Sequence, residues 1–377
     1  YIDNGIYPDI YEHGGVGASG DLVQLAHLAL GIIGEGKGVN SKGEKDHISK
    51  LIKESNLQPH KLELRDGLAM INGTACMTAL SAINIINSKI LINWSVKVSA
   101  MMLEIFGSYD DYISKELNQV KLHKGQNEIA LMIRNILETS NLITKRYSGD
   151  NKNFQEFYSI RCTPQVLGPI LDTLNFSELV LENEINSVDD NPIVDFDNQK
   201  ILHGGNFHGD YISLEMDKLK IAITKLTMLT ERQLNLLLNS KTNKILPPFL
   251  NIGTPGLNYG MQGIQFTATS TTAESQMLSN PMSVHSITCN NDNQDIVSMG
   301  TNAALITRKI IDNAFQVMSI QLIACVKALE TLKIEKKVCV ETKKTLKIVK
   351  ELIGSHSADD EVFYSKLKSI ESYLRDS

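Results

Sequence analysis

Apolar residues recur along this chain chiefly at steps of three and four, the period of an amphipathic helix. The clearest case is residues 210–238. There Leu219, Ile223, Leu226, Leu234 and Leu237 recur at such steps or their sums, and Asn239-Ser240 and Pro247-Pro248 end the run. Residues 295–332 form a second long helix, with Ile310, Val317 and Ala324 seven apart. Both stretches carry apolar positions on more than one face, more than a lone surface helix needs. Residues 66–106 read as one or two buried helices through Leu68, Ile71, Ala75, Met77, Leu80, Ile83, Ile86, Ile90 and Ile92, with a break near Asn93. Further helices are expected at 21–33, at 114–139 with a break at His123–Gln126, and at 260–278, 335–352 and 359–373. Shorter elements are expected at 159–174 and 179–186. Residues 40–61 and 146–154 are polar and read as loops, and Val188–Pro192 as a turn, since the residue before proline avoids helix. Strand signals are nearly absent and no solenoid repeat is evident. The pattern predicts an all-α fold, a bundle of long helices whose faces pair across subunits. Its expected divisions are 1–65 as a functional loop and surface excursion, 66–332 as the bundle and 333–377 as a helical tail.

Composition changes this picture little. The 377 residues are 42% hydrophobic and 21% charged, ordinary for a soluble globular protein. A net charge of −6 with dispersed Lys and Arg points to neither nucleic acid nor an anionic membrane as partner. The nearest basic run, 333–347, is interleaved with Glu335 and Glu341 and reads as a solvated helix face. Five widely spaced cysteines without a CxxC indicate neither a zinc site nor a redox pair; free thiols in a reducing cytoplasm are expected. No signal peptide is visible, and no apolar run reaches about 18 residues.

The chemistry is concentrated in Gly14-Gly15-Val16-Gly17-Ala18-Ser19-Gly20-Asp21-Leu22. Attack of the Gly20 amide nitrogen on the Ala18 carbonyl carbon closes a five-membered ring. Loss of two waters, one of them carrying the Ser19 hydroxyl, leaves a methylidene-imidazolone, an electrophile that no ordinary side chain supplies. The flanking glycines allow the bend that such a closure needs. Gly15-x-Gly17-x-x-Gly20 also matches the dinucleotide fingerprint, but the polar, Pro-broken segment Tyr7–His13 before it is no buried parallel strand. A plain glycine turn before a helix is the third reading. Asp21 is expected in the first turn of that helix, where the dipole favours a carboxylate.

Other blocks are ambiguous by themselves. Tyr158-x-x-Arg161 places a phenol and a guanidinium one helical turn apart, and the planar fork of Arg suits a carboxylate; such a pair is also common at a core edge. Asn72 reads as a helix-interior amide, Asn191 as a pre-proline turn residue and Phe207 as core. His203, His208 and Asp210 have a loose metal-ligand spacing in glycine-rich surroundings, and no metal is expected. Asn290-Asn291-Asp292-Asn293-Gln294-Asp295 reads as a polar helix N-terminus capped by Asn293.

Taken in order, GGVGASGDLVQLAHLAL, GLAMINGTACMTAL, YSIRCTPQVLG, NSVDDNPIV, HGGNFHGD, LPPFLN and NNDNQDIVSMG resemble the motifs of the aromatic amino acid ammonia-lyases and related aminomutases. The resemblance runs from about residue 2 to about residue 304. Its wording is most similar to that of bacterial tyrosine ammonia-lyases. It implies an aspartase/fumarase-like helical superfold and a homotetramer with active sites shared between subunits. It also implies a prosthetic methylidene-imidazolone self-formed from Ala18, Ser19 and Gly20, with no metal or nucleotide. By the same resemblance Arg161 binds the substrate carboxylate, Tyr158 lines the electrophile's pocket, and Gln155 is a pocket residue. Asn72, Asn191 and Phe207 surround the ring. Met261 stands where several relatives have Phe. Gln294 stands where histidine lyases have Glu and favours a phenyl or phenol side chain, while Asn290 replaces the Glu of plant phenylalanine lyases. The expected reaction is loss of ammonia from an L-aromatic amino acid, L-tyrosine giving p-coumarate. Histidine or phenylalanine lyases, a 2,3-aminomutase and a non-catalytic helical subunit are the alternatives. The family's catalytic base, a Tyr on a mobile loop, lies upstream of its Ala-Ser-Gly. Because Tyr1 falls within a family motif, the chain is expected to be the C-terminal part of a longer one.

Overall fold

The computed structural model describes residues 1–146 and 155–376, so all but the first residue of the polar stretch 146–154 lies outside the described residues. In chain order the helices are α1 (Leu22–Ile32), α2 (Ile48–Glu54), α3 (Asp66–Ala69), α4 (Ala75–Phe106), α5 (Lys115–Gln119), α6 (Lys124–Leu137), α7 (Tyr158–Arg161), α8 (Thr163–Ile185), α9 (Asp210–Leu238), α10 (Ser240–Asn243), α11 (Gln262–Leu278), α12 (Gly300–Leu332), α13 (Val340–Ile353) and α14 (Phe363–Arg375). Five short strands accompany them: β1 (Tyr7–Pro8), β2 (Lys37–Val39), β3 (Lys45–His47), β4 (Ile193–Asp195) and β5 (Lys200–Leu202). The mostly helical expectation holds.

Several boundaries differ from the sequence reading. α4 runs unbroken through the exposed Asn93; the break lies at residues 70–74, before the helix. Asn72 is therefore a loop residue and not a helix-interior one. The two short elements expected at 159–174 and 179–186 are instead the single turn α7 and the 23-residue α8. The turn-like Asn175-Phe176-Ser177 is held in helix because Ser177, fully buried, donates to Glu215 Oε2 at 2.8 Å. Residues 295–299 precede α12 and are not part of it, so the Asn-rich block is a loop and Asn293 caps no helix. Residues 40–61, expected to be irregular, contain β3 and α2.

The chain forms two compact units. The first comprises Tyr1–Asn84, Ser177–Lys218 and Pro281–Arg308; the second comprises Ile85–Phe176, Leu219–Asn280 and Lys309–Ser377. The division falls inside α4, α8, α9 and α12. In the first unit, β1, β2 and β3 form an antiparallel sheet with Tyr7 opposite Val39 and Lys37 opposite His47. β4 and β5 form a hairpin with Ile193 opposite Leu202. Helix segments there are tied by buried polar hooks: Asn84 Nδ2 donates to the Ala304 carbonyl at 2.8 Å, and Thr307 Oγ1 to the Met216 carbonyl at 2.9 Å. In the second unit the residues of the sequence repeats are core, with Leu219, Ile223, Leu226, Leu234, Leu237, Ile310, Val317 and Ala324 all buried. Buried Trp94 donates to the Leu374 carbonyl at 3.0 Å, which ties α14 in place. Helices α4 and α12 are long and apolar enough to cross a membrane by length and composition. The buried Thr301, Thr307, Asn313, Gln321 and Lys327 of α12 all make polar contacts inside their own units, the pattern of a core helix.

Asp21 departs from its expected role in α1. It is fully buried at the N-cap and makes no side-chain bond to its own helix. Its carboxylate instead accepts from the Met77 amide, in the first turn of α4, at 2.7 Å and from the Thr301 hydroxyl. Burial raises its pKa above the ordinary carboxylate value, against the opposing pull of the Thr301, Met77 and Cys76 hydrogen bonds. A carboxyl whose pKa is higher folded than unfolded contributes most stability below the unfolded value and loses it as pH rises through the folded value. We therefore predict that the stability difference between wild type and Asp21→Asn shifts against wild type as pH rises from about 3.8, as read from urea midpoints across a pH series. Asp21→Ala, which leaves the Met77 amide and Thr301 hydroxyl unpaired, should cost about 1–3 kcal/mol at any pH.

Candidate active site

The loop before α1 is shaped by close backbone approaches. Gly20 has φ +64°, and a Cβ on it would lie 1.8 Å from the Gly73 carbonyl oxygen. Gly17 has φ +76°, and a Cβ there would lie 2.0 Å from Ser298 Oγ. Only glycine fits either place. The loop is tied on both sides: the Asp21 amide donates to Gly73 O at 2.8 Å, Gly209 N to Gly17 O at 3.0 Å, and Met299 N to Val16 O at 2.9 Å. Ser298 Oγ also donates to Gly17 O at 3.0 Å. Ala18 is buried against Val297 and Met299, with Val16, Met282 and Cys289 packed around them. Ser19, half-buried between two constrained neighbours, receives a hydrogen bond from Gln294 Nε2 at 3.0 Å.

A second layer holds the Gly73 segment against the loop. Asn72, buried, donates through Nδ2 to Asp190 Oδ1 at 2.9 Å. Arg65 donates to Asp190 Oδ2 at 2.9 Å and to the Asn191 carbonyl at 3.3 Å. Asp189 Oδ2 accepts from the Thr74 amide at 2.7 Å. Asn191 Oδ1 accepts from the Gly204 amide at 2.9 Å. Phe207 is half-buried in the loop before α9. His208 lies 3.3 Å from Asp210 through Nδ1 and 3.2 Å from the Ile296 carbonyl through Nε2, so both of its nitrogens face protein atoms.

Asn290, exposed, opens three successive left-handed residues, with φ 53°, 53° and 62° at Asn290, Asn291 and Asp292. That reversal brings Cys289 and Gln294 opposite each other as an antiparallel bridge, and so turns Gln294 toward Ser19. All of these residues belong to the first unit.

Gln155, Tyr158, Arg161 and Met261 belong to the second unit. Tyr158 and Arg161 stand one turn apart on α7, with the guanidinium carbon 4.7 Å from the phenol ring centroid. Tyr158 is 70% exposed. Among the described residues Arg161 Nε is buried without a hydrogen-bond partner, so the fork retains an unused donor. Gln233 Nε2 holds the turn by donating to the Ser159 carbonyl at 2.8 Å. Gln155 lines a cavity of about 510 Å³ with Glu156, Phe157, Ile160 and Leu236. Met261 is buried at the start of α11, and the two residues before it are fixed by Asp360, whose carboxylate accepts the Tyr259 and Gly260 amides at 2.9 and 3.0 Å.

Residues 1–352 match the family model described as aromatic amino acid lyase. The chain belongs to the aromatic amino acid lyase family. It is 37% identical over 346 residues to the tyrosine ammonia-lyase of Cupriavidus metallidurans, an alignment covering 88% of this chain and 65% of that protein. It is 38% identical over 329 residues to the histidine ammonia-lyase of Bacillus cytotoxicus, covering 87% of this chain and 64% of that protein. The chain thus spans about 65% of the length of these relatives. The solved tyrosine aminomutase of Streptomyces globisporus superposes with a TM-score of 0.93 at 31% identity, over 100% of this chain and 73% of that one.

Against this lyase family framework, the sequence reading missed the supports of the site. Asp189 and Asp190, part of a turn by sequence, anchor the Asn72–Thr74 segment. Arg65 and Cys289 lie outside the motifs, Ser298 is within one without a role of its own, and the roles of all three follow only from which loops meet. The close approach at Gly20 yields a direct test. Gly20→Ala should cost at least about 2 kcal/mol, because left-handed strain adds to a backbone clash. Gly43→Ala has φ +77° with nothing within 4 Å of its Cβ and should cost only about 1 kcal/mol. Paired urea titrations of the two variants provide the comparison.

Proposed function

We propose that the protein containing this chain eliminates ammonia from an L-aromatic amino acid, with L-tyrosine giving p-coumarate, and that Ala18, Ser19 and Gly20 form its methylidene-imidazolone. The observation that carries the reading is Ser19 held between buried Ala18 and the tightly crossed Gly20, with a side-chain donor on its hydroxyl. The local structure fits such a group. Gly20 has the close backbone approach that a Cβ would block, and Ala18 is packed against buried apolar side chains. Gln294, Asn72, Asn191 and Phe207 would hold the group, and it would supply an electrophile that makes the substrate amine a better leaving group. The relatives support this chemistry through their names, among which tyrosine and histidine lyases both occur.

The rest of the assignment distributes tasks among this chain's residues. Arg161 takes the substrate carboxylate with its unused Nε donor, and Tyr158 beside it lines the same end. Gln155 and Met261 contribute to the pocket, and Asn290 and Gln294 face the substrate side chain. A neutral amide at Gln294 has less desolvation cost beside an apolar ring than a carboxylate has, and it still bonds a phenol. That favours tyrosine over histidine. An aminomutase is the second reading, supported by the solved tyrosine aminomutase.

We also propose a homotetramer with shared active sites. Large apolar side chains are left exposed on long helices, including Ile86 (59%) of α4, Phe176 (54%) of α8, Leu214 (55%) of α9 and Phe266 (65%) of α11. Exposed patches of this kind mark association surfaces. The five cysteines are free, and burial pushes the Cys76 thiol up to about 11; unreactive thiols of this sort suit the cytoplasm.

In the full-length protein, Ser19→Ala should abolish turnover while helical circular dichroism is retained; a variant that turns over tyrosine at the wild-type rate refutes the assignment. Arg161→Ala should weaken binding of every amino acid substrate about 10- to 150-fold, the equivalent of a charge-assisted hydrogen bond of ~1.5–3 kcal/mol. Arg161→Lys should recover only part of this. With equimolar tyrosine and histidine, p-coumarate should dominate over urocanate in the product absorbance, and the reverse would return the protein to the histidine lyases.

A further inference from the structure

Closing the ring at Ser19 requires the Ser19 hydroxyl to leave, and one side chain is aimed at that oxygen. Gln294 Nε2 donates to Ser19 Oγ at 3.0 Å. The other end of the same amide is engaged too, with the Cys289 thiol donating to Gln294 Oε1 at 3.2 Å. An amide oxygen accepts and an amide nitrogen only donates; with the thiol donating to Oε1, the Nε2 end of Gln294 is the one that meets Ser19. The backbone secures the pair: Cys289 N donates to Gln294 O at 3.1 Å and Gln294 N to Cys289 O at 3.3 Å. The three left-handed residues that close this bridge leave the two side chains little freedom to part. Cys289 itself packs against the cluster around Ala18.

We infer that Gln294, oriented by Cys289, assists departure of the Ser19 hydroxyl while the prosthetic ring is being made. This task precedes any turnover and is separate from the contact with the substrate side chain. It rests on the Ala18-Ser19-Gly20 reading given above. In this step the Ser19 Cα–H and Cβ–O bonds break and a Cα=Cβ double bond forms. The Cα proton passes to water. The Cβ–O electron pair leaves with Oγ, and the departing hydroxide is completed to water by a solvent proton. Negative charge grows on Oγ as the bond lengthens, and a donor already fixed at hydrogen-bond distance stabilises that charge without reorganising. Gln294 touches the reacting atom. Cys289 makes no hydrogen bond to Ser19 and acts through Gln294, as a positioning residue.

The test follows maturation and not turnover. Full-length wild type, Gln294→Met, Cys289→Ala and Cys289→Ser are made by cell-free synthesis, and intact mass is recorded against time, with circular dichroism and sedimentation to verify folding. Gln294→Met, which keeps the length but has no N–H, should slow loss of the second water about 100- to 1,000-fold and accumulate a species that has lost only one. Cys289→Ala should slow it about 2- to 10-fold, the worth of one neutral hydrogen bond. Cys289→Ser should restore the rate, because its hydroxyl is again a donor to Oε1. Folded Gln294→Met or Cys289→Ala that loses both waters at the wild-type rate overturns the inference, as does accumulation of protein that has lost no water. If Gln294→Met does not fold, the Cys289→Ala and Cys289→Ser pair decides, and equal rates for the two count against us. Wild-type protein that never loses two waters overturns the Ala18-Ser19-Gly20 reading itself, a result distinct from all of these.

Discussion

The first unit depends on one crossing of two backbones. Where Gly20 passes Gly73, a Cβ on Gly20 would overlap the Gly73 carbonyl oxygen at 1.8 Å, and the next residue's amide bonds that same oxygen at 2.8 Å. The chain turns immediately into α1, and the Asp21 carboxylate at that turn closes the start of α4 and reaches Thr301 on α12. A loop, two helix starts and a third helix are thereby held by one absent Cβ, one backbone amide and two carboxylate oxygens. Burying a carboxylate is costly unless it is hydrogen-bonded, and here each oxygen has a donor. That is why the segment bearing Ser19 has a defined conformation although it is rich in glycine.

Carboxylates and amides serve similarly elsewhere in the same unit. Asp189 and Asp190 receive Thr74, Asn72 and Arg65, and so hold the far side of the Gly73 crossing. Asn72 and Asn191 each spend part of their amide on this framework. Side chains placed by such bonds are held to a narrow geometry, which is what a site stabilising developing charge requires. In the second unit the buried Gln233 does comparable work. It donates to Ser99 and to the Ser159 carbonyl and accepts from Gln321, so the short α7 turn that presents Tyr158 and Arg161 is fastened to the helical core.

Gln294 illustrates how one residue type serves two constraints. A carboxylate there would accept from both Cys289 and Ser19 and would carry a charge beside the apolar cluster around Ala18. The amide accepts from one and donates to the other, and it stays neutral. Being an amide, it has an N–H to present to Ser19 Oγ.

The helical class, the positions of α9, α11 and α12 to within a few residues, and the core residues Ile310, Val317 and Ala324 were legible in the sequence, because helix periodicity is local and repeats over many turns. The family was legible as well, since its motifs are short runs of consecutive residues, and residues 1–352 match the aromatic amino acid lyase model. Other features were decided only by tertiary structure. The unbroken course of α8 through Asn175-Phe176-Ser177 follows from the Ser177–Glu215 hydrogen bond, which no local propensity encodes. The roles of Asp21, Asp189 and Asp190 follow from distant backbone amides and side-chain donors. The Asn290–Gln294 block looks like a helix start because it is polar and Asn-rich, yet left-handed backbone at three successive residues folds it into a reversal that brings Gln294 to Ser19. Contacts between residues 275 positions apart have no signature in composition or spacing; they exist because the fold brings those two loops to one place.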